Sequence, residues 1–286
     1  MKTILLKQLP TPMSSYAKVI TTLGKKGNKK LPAITIECKN ITINESDLKA
    51  YNKVCQIADS DFIPATYLHA KSFVVQTELL TQKEAPYPLL GLVHLANQIK
   101  QFDKVSKYSP YDIQCSFGDL IVHEKGQAFE VLVKVFQNNA LVWQATSVYL
   151  FLGKTGTGKE LNWQIDDVGE HAIKQSWNLA TNLGYQYAKV SGDFNPIHLT
   201  PISAKLFGFK QHIIHGMYSK ARILGQLEPQ IHSDSFNITV SFKTPLYLPN
   251  QVIFRYDKIN PTQINFDLVD KKQEKPHLKG FIEVIK

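Results

Sequence analysis

The sequence predicts an α+β fold of two similar halves, in which antiparallel strands form a sheet beside one helix. Three observations support this class. The last third of the chain alternates between apolar and polar residues, as strands with one buried face do. A segment with helical spacing precedes those strands, and the same order of helix and strands recurs earlier in the chain. The 286 residues suffice for two modest domains with a sizeable core.

The strands are predicted from this alternation and from the turns between them. Residues 236–243 read FNITVSFK and alternate without a break. Turn-forming pairs of Asn and Pro separate several of the segments. The predicted strands are 111–118, 128–136 and 140–151 in the first half, and 236–243, 251–258, 263–270 and 278–285 in the second.

Each set of strands follows a segment with helical spacing, at 89–99 in the first half and 214–224 in the second. Aligning Ile99 with Ile223 gives nearly the same distance from helix to first strand, which indicates an internal duplication. We predict that the second helix spans 215–227 and buries one apolar stripe, formed by Met217, Ala221, Leu224 and Leu227.

The predicted organisation has four parts. They are an N-terminal extension (1–40), a degenerate first domain (41–151), a linker (152–165) and a second domain (166–286). The linker contains GKTGTGK, but Glu160 follows where a phosphate-binding loop requires Ser or Thr. A nucleotide site is therefore not predicted there.

Composition limits the functional classes. The 33 Lys and Arg outnumber the 24 Asp and Glu, giving a formal charge of +9, and part of the excess lies in GKKGNKK at 24–30. This stretch is either a solvated loop or a segment that attracts an anionic partner. The sequence has no nucleic-acid-binding signature.

Cysteine content and apolar runs indicate the compartment. Cys38, Cys55 and Cys115 form no CxxC pair and are odd in number, which favours reduced thiols. The sequence has neither a signal-peptide core nor an apolar run long enough to span a membrane. We therefore expect a cytoplasmic protein.

The stretch VSGDFNPIHL places Asp193 and His198 five positions apart, on either side of the turn signal Asn195-Pro196. Thr200-Pro201 then predicts the start of a short helix that ends near Gly208. Each of the two residues alone is common as a turn or packing residue. Together, on one turn, they can face each other and transfer protons.

The segment 187–217, YAKVSGDFNPIHLTPISAKLFGFKQHIIHGM, resembles the MaoC-like family of (R)-specific enoyl-CoA hydratases and 3-hydroxyacyl-thioester dehydratases. The matching positions are Tyr187-Ala188, Ser191-Gly192-Asp193, Asn195-Pro196, His198, Ala204, Gly208-Phe209 and His215-Gly216-Met217. The resemblance implies a double hotdog fold, in which an antiparallel sheet in each half wraps around a central helix.

The resemblance also implies the site residues. Asp193 and His198 would be the catalytic pair that holds one water, and the Gly216 amide would form the oxyanion hole. Which of the pair acts as formal base stays open. Asn195, Ser191, Gly192 and His215 are candidates for supporting roles. For His215, a buried packing role is favoured over that of a proton donor.

The implied reaction is the reversible hydration of trans-2-enoyl thioesters to (R)-3-hydroxyacyl thioesters. It requires no metal and no cofactor, since coenzyme A or the phosphopantetheine of an acyl carrier protein enters with the substrate. Basic residues near the motif are candidates for binding its phosphates. They are Lys210, Lys220, Arg222 and Lys243.

The first half lacks the motif, because its Asp61 and His69 lie eight positions apart in a different sequence frame. One catalytic site per chain is therefore expected, with the first half acting as a lid or acyl-chain tunnel. Two alternatives stay open, an acyl-thioester binding protein without turnover and a structural or nucleic-acid-binding protein. A homodimer is also compatible with the sequence.

Overall fold

The computed structural model describes residues 2–27 and 30–285. Within them, the strands are β1 (Lys2–Leu6), β2 (Ile34–Ile41), β3 (Val93–Gln101), β4 (Tyr111–His123), β5 (Gly126–Gln137), β6 (Ala140–Leu152), β7 (Ile173–Leu179), β8 (Phe236–Phe242), β9 (Asn250–Asn260), β10 (Gln263–Asp270) and β11 (Pro276–Val284). The α-helices are α1 (Pro12–Val19), α2 (Glu45–Cys55), α3 (Ala65–Leu80), α4 (Leu183–Ser191), α5 (Pro201–Lys205) and α6 (Gly216–Leu227). Short 3-10 turns occupy Ile20–Thr22, Pro196–His198 and Glu228–Gln230.

All these strands form one sheet, in the order β1-β2-β4-β5-β6-β3-β8-β11-β10-β9-β7. The two halves of the chain join where β3 pairs antiparallel with β8, so that Ile99 lies opposite Ile238. Helix α3 packs against β2, β3, β4 and β5 and against α6. Lys220 of α6 donates a hydrogen bond to the carbonyl of Ile238 on β8. This is the architecture that the double hotdog prediction requires.

The predicted strands of both halves are confirmed, with ends that differ by a few residues. The predicted second helix corresponds to α6, and its four stripe residues are all buried. Helix α5 begins after Thr200, whose side chain accepts a hydrogen bond from the Ser203 amide. It ends at Lys205, three residues before the predicted end at Gly208, although Gly208 does adopt φ +82°.

The helix predicted at 89–99 is wrong, because most of this segment forms β3. Its alternation is interrupted by a register shift between His94 and Ala96, and its buried positions include the polar residues Asn97 and Gln101. The helix of the first half is α3, and fourteen of its sixteen residues are buried. Such a helix has no polar face to reveal it. The spacing argument from Ile99 and Ile223 therefore fails, although each half does place one helix before its strands.

Several other features bear on the sequence analysis. Strands β1 and β2 add to the sheet within the stretch predicted as an N-terminal extension, and the proposed domain boundaries stay a prediction. All three cysteines are buried free thiols. Of GKKGNKK, residues 28 and 29 lie outside the described part. No helix of the described residues is both long and apolar enough to cross a membrane.

Candidate active site

The turn after α4 fixes the position of Asp193. Helix α4 ends at Ser191 and is followed by Gly192, which adopts φ +80°, a left-handed conformation that glycine tolerates best. The Ser191 hydroxyl accepts a hydrogen bond from the Asp193 amide at 3.2 Å, and the Asp193 carboxylate accepts one from the Asn195 amide at 3.1 Å. The Asn195 side chain accepts from the Ile197 amide at 3.4 Å. Ser191, Gly192 and Asn195 therefore shape the turn.

Hydrogen bonds also fix the orientation of the two histidines. Nδ1 of His198 lies 2.8 Å from the carbonyl oxygen of Ile213, and Nε2 of His215 lies 2.9 Å from the carbonyl oxygen of Asp193. A carbonyl only accepts hydrogen bonds, so each of these nitrogens carries a proton. In the neutral ring, Nε2 of His198 therefore keeps a lone pair. The two rings stack at 3.6 Å between centroids.

The sequence motif brings three functional groups together. One oxygen or nitrogen atom from each of Asp193, His198 and His215 lies within 4.8 Å of the others. The distance from Nε2 of His215 to Oδ2 of Asp193 is 3.8 Å. This spacing is short enough for the three groups to share a water, and it is also compatible with a metal ion.

Burial keeps both histidines neutral near pH 7. Loss of solvation lowers the pKa of His198 to about 3, and the neighbouring His215 acts in the same direction. Burial likewise lowers the pKa of His215, against the opposing charge of Asp193. The Asp193 side chain is 25% exposed. The site thus combines a carboxyl group in contact with solvent and a neutral imidazole that can accept a proton.

Gly216 begins α6 directly after His215. The amides of the first helical turn have no acceptor within the helix and point out of its positive end. A Cβ atom at Gly216 would lie 2.5 Å from Cε1 of Phe242, so no other residue fits without a shift. Gly216, the predicted oxyanion-hole residue, therefore lies at the N-terminus of α6, in close contact with the Phe242 ring.

A cavity of about 480 Å³ borders these residues. The second half contributes the motif residues and apolar side chains such as Phe209, Ile214 and Met217. The first half contributes the other wall, made mainly of apolar residues. These are Val19, Ala70, Phe73, Leu89, Leu90, Leu92, Val93 and Leu152. A long apolar group can therefore enter next to the Asp193 carboxylate.

The four basic residues predicted to bind phosphate differ in location. Lys243 is exposed and lines the cavity, whereas Lys210 is exposed outside its lining. The prediction is wrong for Lys220, which is fully buried and donates to Asn97 and Ile238. It is also wrong for Arg222, a buried side chain that stacks on a Trp ring at 4.1 Å. Both lie on α6, which is covered on nearly all sides.

Sequence reasoning missed the polar residues that the first half brings to the cavity. His69, His94 and Tyr149 all line it, from α3, β3 and β6 respectively. The sequence analysis considered His69 only together with Asp61. Asp61 is exposed and accepts a hydrogen bond from the Tyr108 hydroxyl. His94 lay in the segment that was predicted as a helix. Only its strand assignment could have revealed this residue.

Comparisons with known proteins agree with this architecture. Residues 169–279 match the MaoC like domain family, which confirms the resemblance of the motif segment. The chain is 27% identical over 221 residues to "3-hydroxyacyl-thioester dehydratase X" of Mycobacterium tuberculosis, covering 77% of this chain and 79% of the relative. A stretch of 69 residues is 36% identical to "(R)-specific enoyl-CoA hydratase" of Aeromonas caviae, covering 23% of this chain and 52% of the relative.

Solved structures confirm the double hotdog fold. The crystal structure of HtdX from Mycobacterium tuberculosis has a TM-score of 0.76 at 24% identity, covering 88% of this chain and 100% of the other. A MaoC-like dehydratase from Phytophthora capsici has a TM-score of 0.73 at 19% identity, covering 90% and 96%. At these identities the likeness concerns the fold alone.

Proposed function

We propose that this chain, which carries a MaoC-like domain at residues 169–279, reversibly hydrates trans-2-enoyl thioesters to (R)-3-hydroxyacyl thioesters. One observation carries the proposal. Asp193 and His198 approach each other on one turn, beside an apolar cavity and the N-terminus of a buried helix. The names of the two relatives indicate the same class of reaction, and the (R) configuration rests on the Aeromonas caviae relative.

The proposed chemistry follows from the protonation of the pair. The His198 imidazole is neutral, and its Nδ1 proton is engaged by Ile213, so Nε2 faces the water as an acceptor. The Asp193 carboxylate is a second acceptor. The water oxygen attacks C3 while one of its protons moves to this pair, and the same proton is then delivered to C2. The other proton stays on the new hydroxyl, and dehydration reverses these steps.

Negative charge develops on the thioester oxygen as the C3–O bond forms. We infer that the amide of Gly216 stabilises it, because a helix N-terminus presents unpaired N–H groups and a positive dipole end. The Phe242 ring packs so closely against Gly216 that a side chain there would clash with it. A preorganised donor of this kind stabilises the transition state more than the ground state.

The substrate class follows from the cavity. Its apolar walls from both halves suit an acyl chain, and Lys243 at its border suits the anionic end of coenzyme A or a carrier-protein phosphopantetheine. We propose no cofactor and no metal for the reaction. A homodimer stays a prediction.

The test uses the purified full chain with a short and a long trans-2-enoyl-CoA, and with the matching carrier-protein esters. We expect the absorbance of the conjugated double bond to disappear and chiral analysis to show the (R)-3-hydroxyacyl product. Hydration of carrier-protein esters alone would assign the carrier. Tight binding of every ester without any loss of the double bond would instead favour the binding-protein alternative.

A further inference from the structure

A β-bulge turns His94 toward the cavity. Strands β3 and β6 pair regularly from Ala96 onward, but the register shifts between His94 and Ala96, which leaves Leu95 as an extra residue. One extra residue reverses the alternation of the side chains on its far side. Leu95 and Ala96 pack in a separate apolar cluster, whereas Asn97 faces α6. His94 therefore faces the α6 side as well.

On that side, His94 lies next to the proposed reaction centre. Its ring stacks on Tyr149 at 4.7 Å and lies 5.0 Å from the ring of Phe242. Phe242 is the residue that leaves no room for a side chain at Gly216. Burial lowers the pKa of His94 to about 3, and the Asp193 charge opposes that shift. A neutral imidazole therefore lies within electrostatic reach of Asp193.

This imidazole has an unused hydrogen-bonding atom. Nε2 of His94 is buried and has no hydrogen-bond partner among the described residues, and the same is true of Nδ1 of His69, whose ring lies 6.2 Å away. Buried polar atoms are nearly always hydrogen-bonded. His94 borders the cavity, and the rest of this wall is mainly apolar. A turn of its ring would present this nitrogen to a polar group that enters the cavity.

We propose that His94, a residue of the first half, contacts the substrate and forms a hydrogen bond with the thioester end of the acyl group. The inference rests on the proposed function and extends it, because it makes the site a composite of both halves. The bulge at Leu95 is the device that makes this contact, since a regular strand would direct His94 to the opposite face.

Two substitutions separate hydrogen bonding from packing. His94→Phe keeps a ring against Tyr149 and Phe242 but removes the nitrogens, whereas His94→Gln keeps a polar group near Nε2. We expect His94→Phe to lower kcat/KM for trans-2-enoyl-CoA at least about tenfold, the effect of one buried hydrogen bond. His94→Gln should recover most of that loss. His232→Phe, at an exposed position outside the cavity lining, is the matched control.

A binding measurement makes the result independent of turnover. Calorimetry with a saturated acyl-CoA should show weaker binding to His94→Phe than to His94→Gln, with melting temperatures near that of the natural chain. Weaker binding in a chain that hydrates no ester supports the contact and rejects the proposed function. Unchanged rate and binding in His94→Phe overturn the inference, as do equal losses in both variants. Absence of binding and of turnover with both acyl-CoA and carrier-protein esters by the natural chain overturns both proposals.

Discussion

Replacing Gly216 by alanine tests whether the start of α6 must lie where it does. The added Cβ would lie 2.5 Å from Cε1 of Phe242, with two further ring atoms at 2.7 and 2.9 Å. To reach ordinary contact, the helix start or the ring must move by about 1 Å, and a misplacement of that size costs about 100-fold in rate. We expect kcat for hydration to fall by that factor, and the free energy of unfolding to fall by about 1–3 kcal/mol.

Gly225→Ala is the matched control on the same helix. Its Cβ would lie 2.8 Å from Cγ1 of Ile57, far along α6 from the proposed oxyanion site. For Gly225→Ala, urea unfolding should show a destabilisation similar to that of Gly216→Ala, whereas activity assays should give a nearly natural kcat. The double variant Gly216→Ala/Phe242→Leu should recover part of the lost rate, because it relieves the clash. Full activity of Gly216→Ala, or an equal loss of kcat in Gly225→Ala, would refute the reasoning.

Further predictions concern the pH dependence of stability, the effect of metal removal and two lysines. The pKa of His198 is lowered from 6.5 to about 3, so between these values the unfolded chain binds a proton that the folded chain does not. The free energy of unfolding should therefore fall as the pH falls through this window, and it should fall less steeply in His198→Gln. Urea titrations that show the same dependence of this free energy on pH in both chains would contradict the prediction. Dialysis against a chelator should leave activity unchanged, and activity lost and then restored by Zn²⁺ would show instead that the three-residue cluster binds metal. Lys220→Met should lose about 1–3 kcal/mol of unfolding free energy with unchanged KM, because buried acceptors lose their donor. Lys243→Ala should raise KM about two- to fivefold at low salt. A raised KM in Lys220→Met with an unchanged KM in Lys243→Ala would instead assign phosphate binding to Lys220.

The sequence predicts those parts of the fold where one face of an element is buried and the other is polar. Strand β10 is predicted to the residue and β8 to within one residue, and α6 nearly so, because its apolar stripe repeats at helical spacing. Helix α3 is buried on nearly all sides, and a bulge interrupts the alternation of β3, so neither shows a regular polar face to mark its period. The two errors of the sequence analysis in the first half have this common cause.

Some residues of the candidate site can be located from local sequence, and others depend on contacts between distant parts of the chain. Asp193, His198 and Gly216 lie in one short stretch, so local turn chemistry and family resemblance together locate them. Burial of Lys220 depends on strands far along the chain, and spacing from the motif cannot reveal it. The place of His94 depends on a bulge and on pairing between halves, neither of which has a local signal.

The rates of Asp193→Asn, His198→Ala and the double variant with trans-2-enoyl-CoA test the central claim most directly. The claim is that the two side chains share one water, so each single change should lower kcat by about 100- to 10,000-fold. The double variant should be about as slow as the slower single variant, because the pair acts as a unit. Hydration at the natural rate in either single variant, in chains with unchanged melting temperatures, would contradict the account.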